Sequence, residues 1–115
     1  MLVKSQRQEP HTDDPVLAEI VRRLVATYHP DRIYLFGSRA RGESTADSDY
    51  DLLVVVSDDA PANLRRSRPA YEALRGTGTA ADILVWTRTD FEARRPLRAS
   101  LAHEVEAEGR LLYAA

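Results

Sequence analysis

The stretch Asp49–Val56 constrains this chain more than any other, because Asp49-Tyr50-Asp51 runs directly into Leu52-Leu53-Val54-Val55-Val56. Five consecutive apolar residues have no polar side to turn toward water, so the segment predicts a central strand covered on both faces. Such a strand needs packing layers above and below it, and the remaining sequence supplies them. Val16, Leu17, Ile20, Val21, Leu24, Val25 and Tyr28 recur at three and four, the period of a helix with one apolar face. Asp13 or Asp14 can cap its start, Pro15 suits its first turn, and Pro30 stops it at His29. Arg32-Ile33-Tyr34-Leu35-Phe36 predicts a short buried strand ending at Gly37. Ser38–Gly42 predicts one helical turn, and Glu43–Ser48 a polar loop in which Asp47 reads as a cap.

Beyond the central strand, Ser57-Asp58-Asp59-Ala60-Pro61 breaks the pattern. Asn63–Arg75 predicts a helix with Pro69 inside it, where a proline interrupts the hydrogen-bond ladder. Ala81–Thr87 predicts a further strand, carrying Asp82 near its start and Ile83-Leu84-Val85-Trp86 after it. Asp90 or Thr89 can cap a short turn through Arg95. Pro96–Glu108 predicts a helix on the spacing of Leu97, Leu101 and Val105, closed by Gly109 as C′ residue, and Arg110–Tyr113 a last short strand. The expected class is α/β (α+β), a small mixed sheet with helices packed against it.

A chain of 115 residues fits one domain. Residues 1–13 lack a period and predict a loose tail, leaving 14–115 as the domain. With 43% hydrophobic and 30% charged residues the composition is globular. The absence of cysteine excludes disulfides, thiolate metal sites and a cysteine nucleophile. No apolar run reaches the ~18–20 residues of a membrane span. Met1–Asp14 has no apolar core of a secretion signal, so a cytoplasmic protein without membrane contact is expected. A net charge of −2 gives no general attraction to nucleic acid, and direct binding is not expected. His11, His29 and His103 show no metal spacing. The runs Arg65-Arg66-Arg68 and Arg94-Arg95-Arg98 read as solvated helix faces, and Trp86 as core or rim.

The chemistry concentrates in Gly37–Asp51. A Gly-Ser pair between a strand and a helical turn offers backbone amides, a dipole end and a hydroxyl to a phosphate. Asp49 and Asp51 stand at i and i+2, which puts both carboxylates on one face of a strand, about 6.6–7 Å apart at Cα. Adjacent carboxylates repel unless a cation joins them, and Mg²⁺ accepts one or two carboxylates together with phosphate oxygens. Asp82 opens a separate strand and can converge on the same cation if the two strands are neighbours. Arg39 and Arg41 flank the phosphate turn, where either planar fork can grip a β- or γ-phosphate. Tyr50 points away from the two acids and reads as packing.

Gly37-Ser38, ten residues from Arg39 to Ser48, then Asp49-Tyr50-Asp51 form a GS-x10-DxD motif. With Leu35-Phe36 before it and Leu52-Leu53-Val54 after it, the chain resembles the minimal nucleotidyltransferases of the DNA polymerase β-like superfamily, and among them the MntA-type antitoxins. The likeness covers about residues 16–113, its sharp motifs only 35–56 and 82. It implies the polymerase β-like fold, with two Mg²⁺ ions held by Asp49, Asp51 and Asp82, and an ATP triphosphate contacted at Gly37 and Ser38. The implied reaction moves AMP from ATP to a hydroxyl, with loss of pyrophosphate. Asp82 can also take the proton of that hydroxyl.

Larger members of the superfamily add a helical domain to hold the acceptor. This chain has no residues left for one, so the acceptor surface is expected from another protein. The resemblance implies a HEPN-domain toxin, a tyrosine of which receives AMP. Two alternatives stand beside this: a module that masks the HEPN partner by contact alone, and a small-molecule transferase of the aminoglycoside-modifying kind. A homo- or hetero-oligomer is compatible with so small a domain. The preference for ATP rests on the resemblance, since no residue here reads a purine edge.

Overall fold

The computed structural model describes residues 10–115. Helix α1 spans Pro15–Tyr28, strand β1 Arg32–Phe36 and the short helix α2 Ser38–Arg41. Strand β2 (Tyr50–Val56) is followed by a 3-10 turn at Ala62–Arg65 and helix α3 at Arg68–Ala73. Strand β3 (Ala81–Thr87), helices α4 (Arg88–Arg94) and α5 (Leu101–Glu108), and strand β4 (Arg110–Ala114) complete the order. The sheet runs β3-β2-β1-β4. β2 pairs parallel with β3 and antiparallel with β1, and β1 pairs antiparallel with β4. The expected mixed sheet with helices against it is therefore what forms.

The apolar run of β2 explains its position. Leu52, Leu53, Val54, Val55 and Val56 are all buried, which requires cover on both faces. Leu52, Val54 and Val56 join Ile33, Leu35, Ile83 and Leu112 beneath Leu17, Ile20, Val21, Leu24 and Tyr28 of α1. On the other face Leu53, Val55 and Tyr34 pack against Phe91 of α4 and Ala102 and Val105 of α5. The Tyr34 and Phe91 rings stack with centroids 5.6 Å apart.

Local chemistry sets the element ends. The Asp14 carboxylate accepts from the Val16 and Leu17 amides (2.9 and 3.2 Å) and caps α1. His29, at φ 47°, closes that helix before Pro30. Proline placement divides the segment expected to be one helix over 63–75. A 3-10 turn comes first, and α3 then starts with Pro69 in its first turn, where a missing N–H costs nothing. Helix α4 begins directly after β3, because Thr87 Oγ1 accepts from the Asp90 amide at 3.2 Å, ahead of the expected caps. Residues 96–100, expected as helix, are not helical. Ser100 Oγ accepts from the His103 amide (3.1 Å) and starts α5 only at Leu101, leaving Leu97 58% exposed. Gly109 is not a left-handed C′ residue but extended, at φ −78°. Glycine fits there because a Cβ would lie 2.5 Å from the Val105 carbonyl oxygen and 3.0 Å from that of Leu35.

Of the tail expected over 1–13, the first nine residues lie outside those described, and the His11 amide donates to the Leu112 carbonyl at 2.8 Å. Among the described residues, no helix is long and apolar enough to cross a membrane.

Candidate active site

The parallel pairing of β2 with β3 sets Asp51 directly beside Asp82. The antiparallel pairing of β1 with β2 sets Phe36, the last residue of β1, on the other side of Asp51. Three strand ends therefore meet at Asp51. Alternation puts Asp51 on the face of Leu53 and Val55, and Asp82 on the face opposite the buried Ile83. Both acids thus belong to the face covered by α4 and α5. Asp49, expected inside the strand, stands just before it, since β2 begins at Tyr50. Asp49 and Asp82 are exposed and Asp51 is half-buried.

Charges crowd here. Burial pushes the Asp51 carboxyl above the usual aspartate range, and Asp82, Asp49 and Glu104 push it further, with only Arg41 pulling the other way. Glu104 carries no mark in the sequence, being one of three glutamates in Glu104-Val105-Glu106-Ala107-Glu108. The packing of Val105 onto the sheet is what turns the first turn of α5 toward the acids. As the side chains stand, no three acidic or histidine residues among those described close into a ready metal-binding group. The donor set is nonetheless hard carboxylate oxygen in mutual repulsion, which fits a magnesium-type cation.

The Gly-Ser turn lies against this cluster. Gly37 has φ 76° and ψ −158°, a region essentially confined to glycine. A Cβ built on it would overlap the Asp51 carboxylate. The Ala40 and Arg41 amides donate to the Gly37 carbonyl (3.1 and 3.2 Å), so the amides of Ser38 and Arg39 stand outside the ladder of the turn. Ser38 is half-buried at its start.

The two arginines after the turn are engaged differently. Arg41 Nε donates to Glu43 (3.0 Å), and its Nη1 lies 3.7 Å from Glu104, at the border of the acid cluster. Arg39 turns to the loop, with Nε and Nη2 both donating to the Ser48 carbonyl (3.0 and 2.6 Å) and its guanidinium 4.0 Å above the Tyr50 ring. The buried Tyr50 packs on the α1 side, and its hydroxyl donates to Asp14 Oδ2 at 2.6 Å. The loop cap expected of Asp47 is made by Ser48, whose Oγ accepts from the Thr45 amide at 2.9 Å.

Elsewhere, Arg65 is spent on its own turn, donating to the carbonyls of Ala60 (2.8 Å) and Asp58 (3.2 Å). Trp86 sits at the rim of the second core with Arg94 5.3 Å above its ring.

A family model described as a nucleotidyltransferase domain matches residues 16–111. A Sulfolobus solfataricus protein described as a nucleotidyltransferase is 26% identical, with a TM-score of 0.51 over 68% of this chain and 69% of that one. A toxin–antitoxin with AMP-PNP is 22% identical, with a TM-score of 0.55 over 84% of this chain and 73% of that one. A mutant of the toxin–antitoxin MntA–HpeT, with two Asp-to-Glu changes two positions apart, is 20% identical, with a TM-score of 0.54 over the same shares of 84% and 73%. No curated protein matches the chain.

Proposed function

The chain belongs to the nucleotidyltransferase-domain family, and from that membership we propose that it transfers AMP from ATP to a tyrosine hydroxyl of a HEPN-type toxin, acting as its antitoxin. The observation that carries this reading is the register of Asp51 beside Asp82, with Gly37 beneath the Asp51 carboxylate. That arrangement joins a phosphate turn and an acidic cluster from two strands within one small site.

Asp49, Asp51 and Asp82 are the residues that would hold magnesium. Two such ions, when bound, supply charge neutralisation at the reacting phosphates and a more acidic acceptor hydroxyl. The chain's own residues do the rest. Gly37 lets the triphosphate approach the backbone, Ser38 offers its amide and hydroxyl, and Arg41 offers a guanidinium beside the acids. The acceptor oxygen bonds to the α-phosphorus of ATP, the bond from that phosphorus to the bridging oxygen breaks, and pyrophosphate departs. Asp82, the more exposed of the cross-strand pair, takes the proton of the hydroxyl. Catalysis is then mainly positioning and charge compensation, as in other phosphoryl transfers.

A toxin as acceptor is supported by the two toxin–antitoxin neighbours, one of them with AMP-PNP and the other altered at two aspartates with the spacing of Asp49 and Asp51. The test combines the protein, Mg²⁺, ATP labelled in its α-phosphate and the HEPN-type product of an adjacent reading frame. Label on a partner tyrosine, lost with Asp49→Ala/Asp51→Ala, is the expected result. A double variant that still silences the partner without label would establish masking instead. Label appearing on an aminoglycoside with no partner present would establish a small-molecule transferase.

A further inference from the structure

We propose that Arg39 is a positioning residue that fixes Asp49, and not a phosphate ligand like Arg41; the inference rests on the reading that Asp49 helps hold a divalent cation. Asp49 stands one residue ahead of β2, and the first amide tied to the neighbouring strand's side is that of Tyr50, which donates to the Ala80 carbonyl at 3.1 Å. The sheet ladder therefore does not hold Asp49. Its two chain neighbours are gripped instead, both by one side chain. The Arg39 guanidinium takes the Ser48 carbonyl through two donors, at 3.0 and 2.6 Å, and its carbon stands 4.0 Å from the centre of the Tyr50 ring. Tyr50 is anchored in turn, because its hydroxyl donates at 2.6 Å to the carboxylate that caps α1. A continuous path of contacts thus runs from the N-terminus of α1 through Tyr50 and Arg39 to the peptide that carries Asp49.

The same geometry takes Arg39 away from a triphosphate. One edge of its fork is committed to a carbonyl while the guanidinium carbon stays over an aromatic ring, a two-donor arrangement that the point charge of a lysine does not reproduce. Arg41, two residues on, is paired with the side chains of Glu43 and Glu104 beside Asp51, surface ion pairs that a phosphate can displace, whereas Arg39 is held on backbone.

The test compares wild type, Arg39→Ala, Arg39→Lys and Asp49→Ala by three readouts: amide hydrogen exchange at Asp49 and Tyr50, Mn²⁺ affinity by electron paramagnetic resonance, and ATP affinity in EDTA. Both Arg39 variants are expected to speed exchange at those two amides. They should weaken Mn²⁺ binding about tenfold or more, the usual loss when a residue supporting a metal ligand is removed, and leave metal-free ATP affinity within about twofold. Arg39→Lys keeps the charge and a mild fold perturbation, so it is read if the alanine variant does not fold. Lysine behaving as wild type, unchanged exchange, or a loss of ATP affinity in EDTA would overturn the proposal. If Asp49→Ala binds Mn²⁺ as well as wild type does, the metal-site reading itself fails, whatever exchange shows at Arg39.

Discussion

Replacing Gly37 with alanine separates backbone strain from damage to the acids, because a second glycine nearby carries the strain alone. Gly37, at φ 76° and ψ −158°, lies where a residue with a Cβ pays on the order of 1–3 kcal/mol. The new Cβ would also overlap one Asp51 oxygen and stand 3.2 Å from the Asp51 Cγ, so the carboxylate must turn aside. Gly42, at φ 75° and ψ 18°, has no atom within 4 Å of such a Cβ. Gly42→Ala therefore carries only the left-handed strain, roughly 1–2 kcal/mol. Both variants should lower the melting temperature, by about 4–8 °C per kcal/mol for a domain near this size. Only Gly37→Ala should also lose the proposed AMP transfer and Mn²⁺ affinity. In an Asp51→Ala background the overlap is gone and a 3.4 Å contact with Cβ remains, which is ordinary packing. Gly37→Ala should then cost less than in wild type, with a coupling of about 0.5 kcal/mol or more in urea unfolding. Additive costs, or a Gly37→Ala protein as active as Gly42→Ala, would refute the placement of Asp51 over the turn.

Three further outcomes follow from the same geometry. Burial and then Asp82, Asp49 and Glu104 hold the Asp51 carboxyl above its ordinary value, so without metal the folded state gains stability as pH falls through that raised value toward 3.8. Asp51→Asn should therefore unfold at higher urea than wild type at pH 7 in EDTA and, on the proposed metal site, lack the stabilisation by Mg²⁺ expected of wild type. Asp14 is shifted oppositely: burial works to raise its carboxyl, but the Tyr50 hydroxyl, the Leu17 and Val16 amides and Arg39 together bring it below 3.8. Its contribution is present above pH 3.8 and fades as pH falls through the lower folded value. Asp14→Ala should cost about 0.5–2 kcal/mol at pH 7 for the lost cap, and its urea midpoint should converge on that of wild type in strong acid. Phe91→Ala removes a buried ring stacked on Tyr34 and should cost about 3–5 kcal/mol in urea unfolding.

The strands were legible because their signals are local. Arg32–Phe36 and Ala81–Thr87 are bounded by breakers on the chain itself, and both form with those limits. Helix α1 was legible because its cap, its apolar period and Pro30 agree. Where two local rules compete, the sequence is mute about the winner. Thr87 and Ser100 cap the two helices in place of Thr89 and Pro96, and the helices so placed carry Phe91 and Val105 into the second core. The Gly-Ser turn and three aspartates could be picked out, but the use of each arginine could not. Arg39 and Arg41 are equivalent in the sequence, and only the path of the loop gives one the Ser48 carbonyl and the other the border of the acids. Glu104 was invisible for a related reason, since its position depends on how α5 lies across the sheet.

The unequal cover of the sheet explains why the acids stand where they do. On the α1 side, β2 is apolar and buried along its whole length, from Tyr50 to Val56. On the other side Phe91 and Val105 cover Leu53 and Val55, while Leu84 on the neighbouring strand stays 38% exposed and Asp82 is open. Stability alone would favour apolar residues at 51 and 82, extending the second core to the end of both strands. Instead the chain sets two carboxylates side by side there, adds Glu104 from α5, and keeps Gly37 small beneath Asp51. Burial beside Asp82, Asp49 and Glu104 makes the ionised Asp51 carboxylate unfavourable in the metal-free fold, and the proposed divalent cation and triphosphate would reverse that cost. Local violations that a single ligand set would reverse are the mark of a site shaped by function and not by packing.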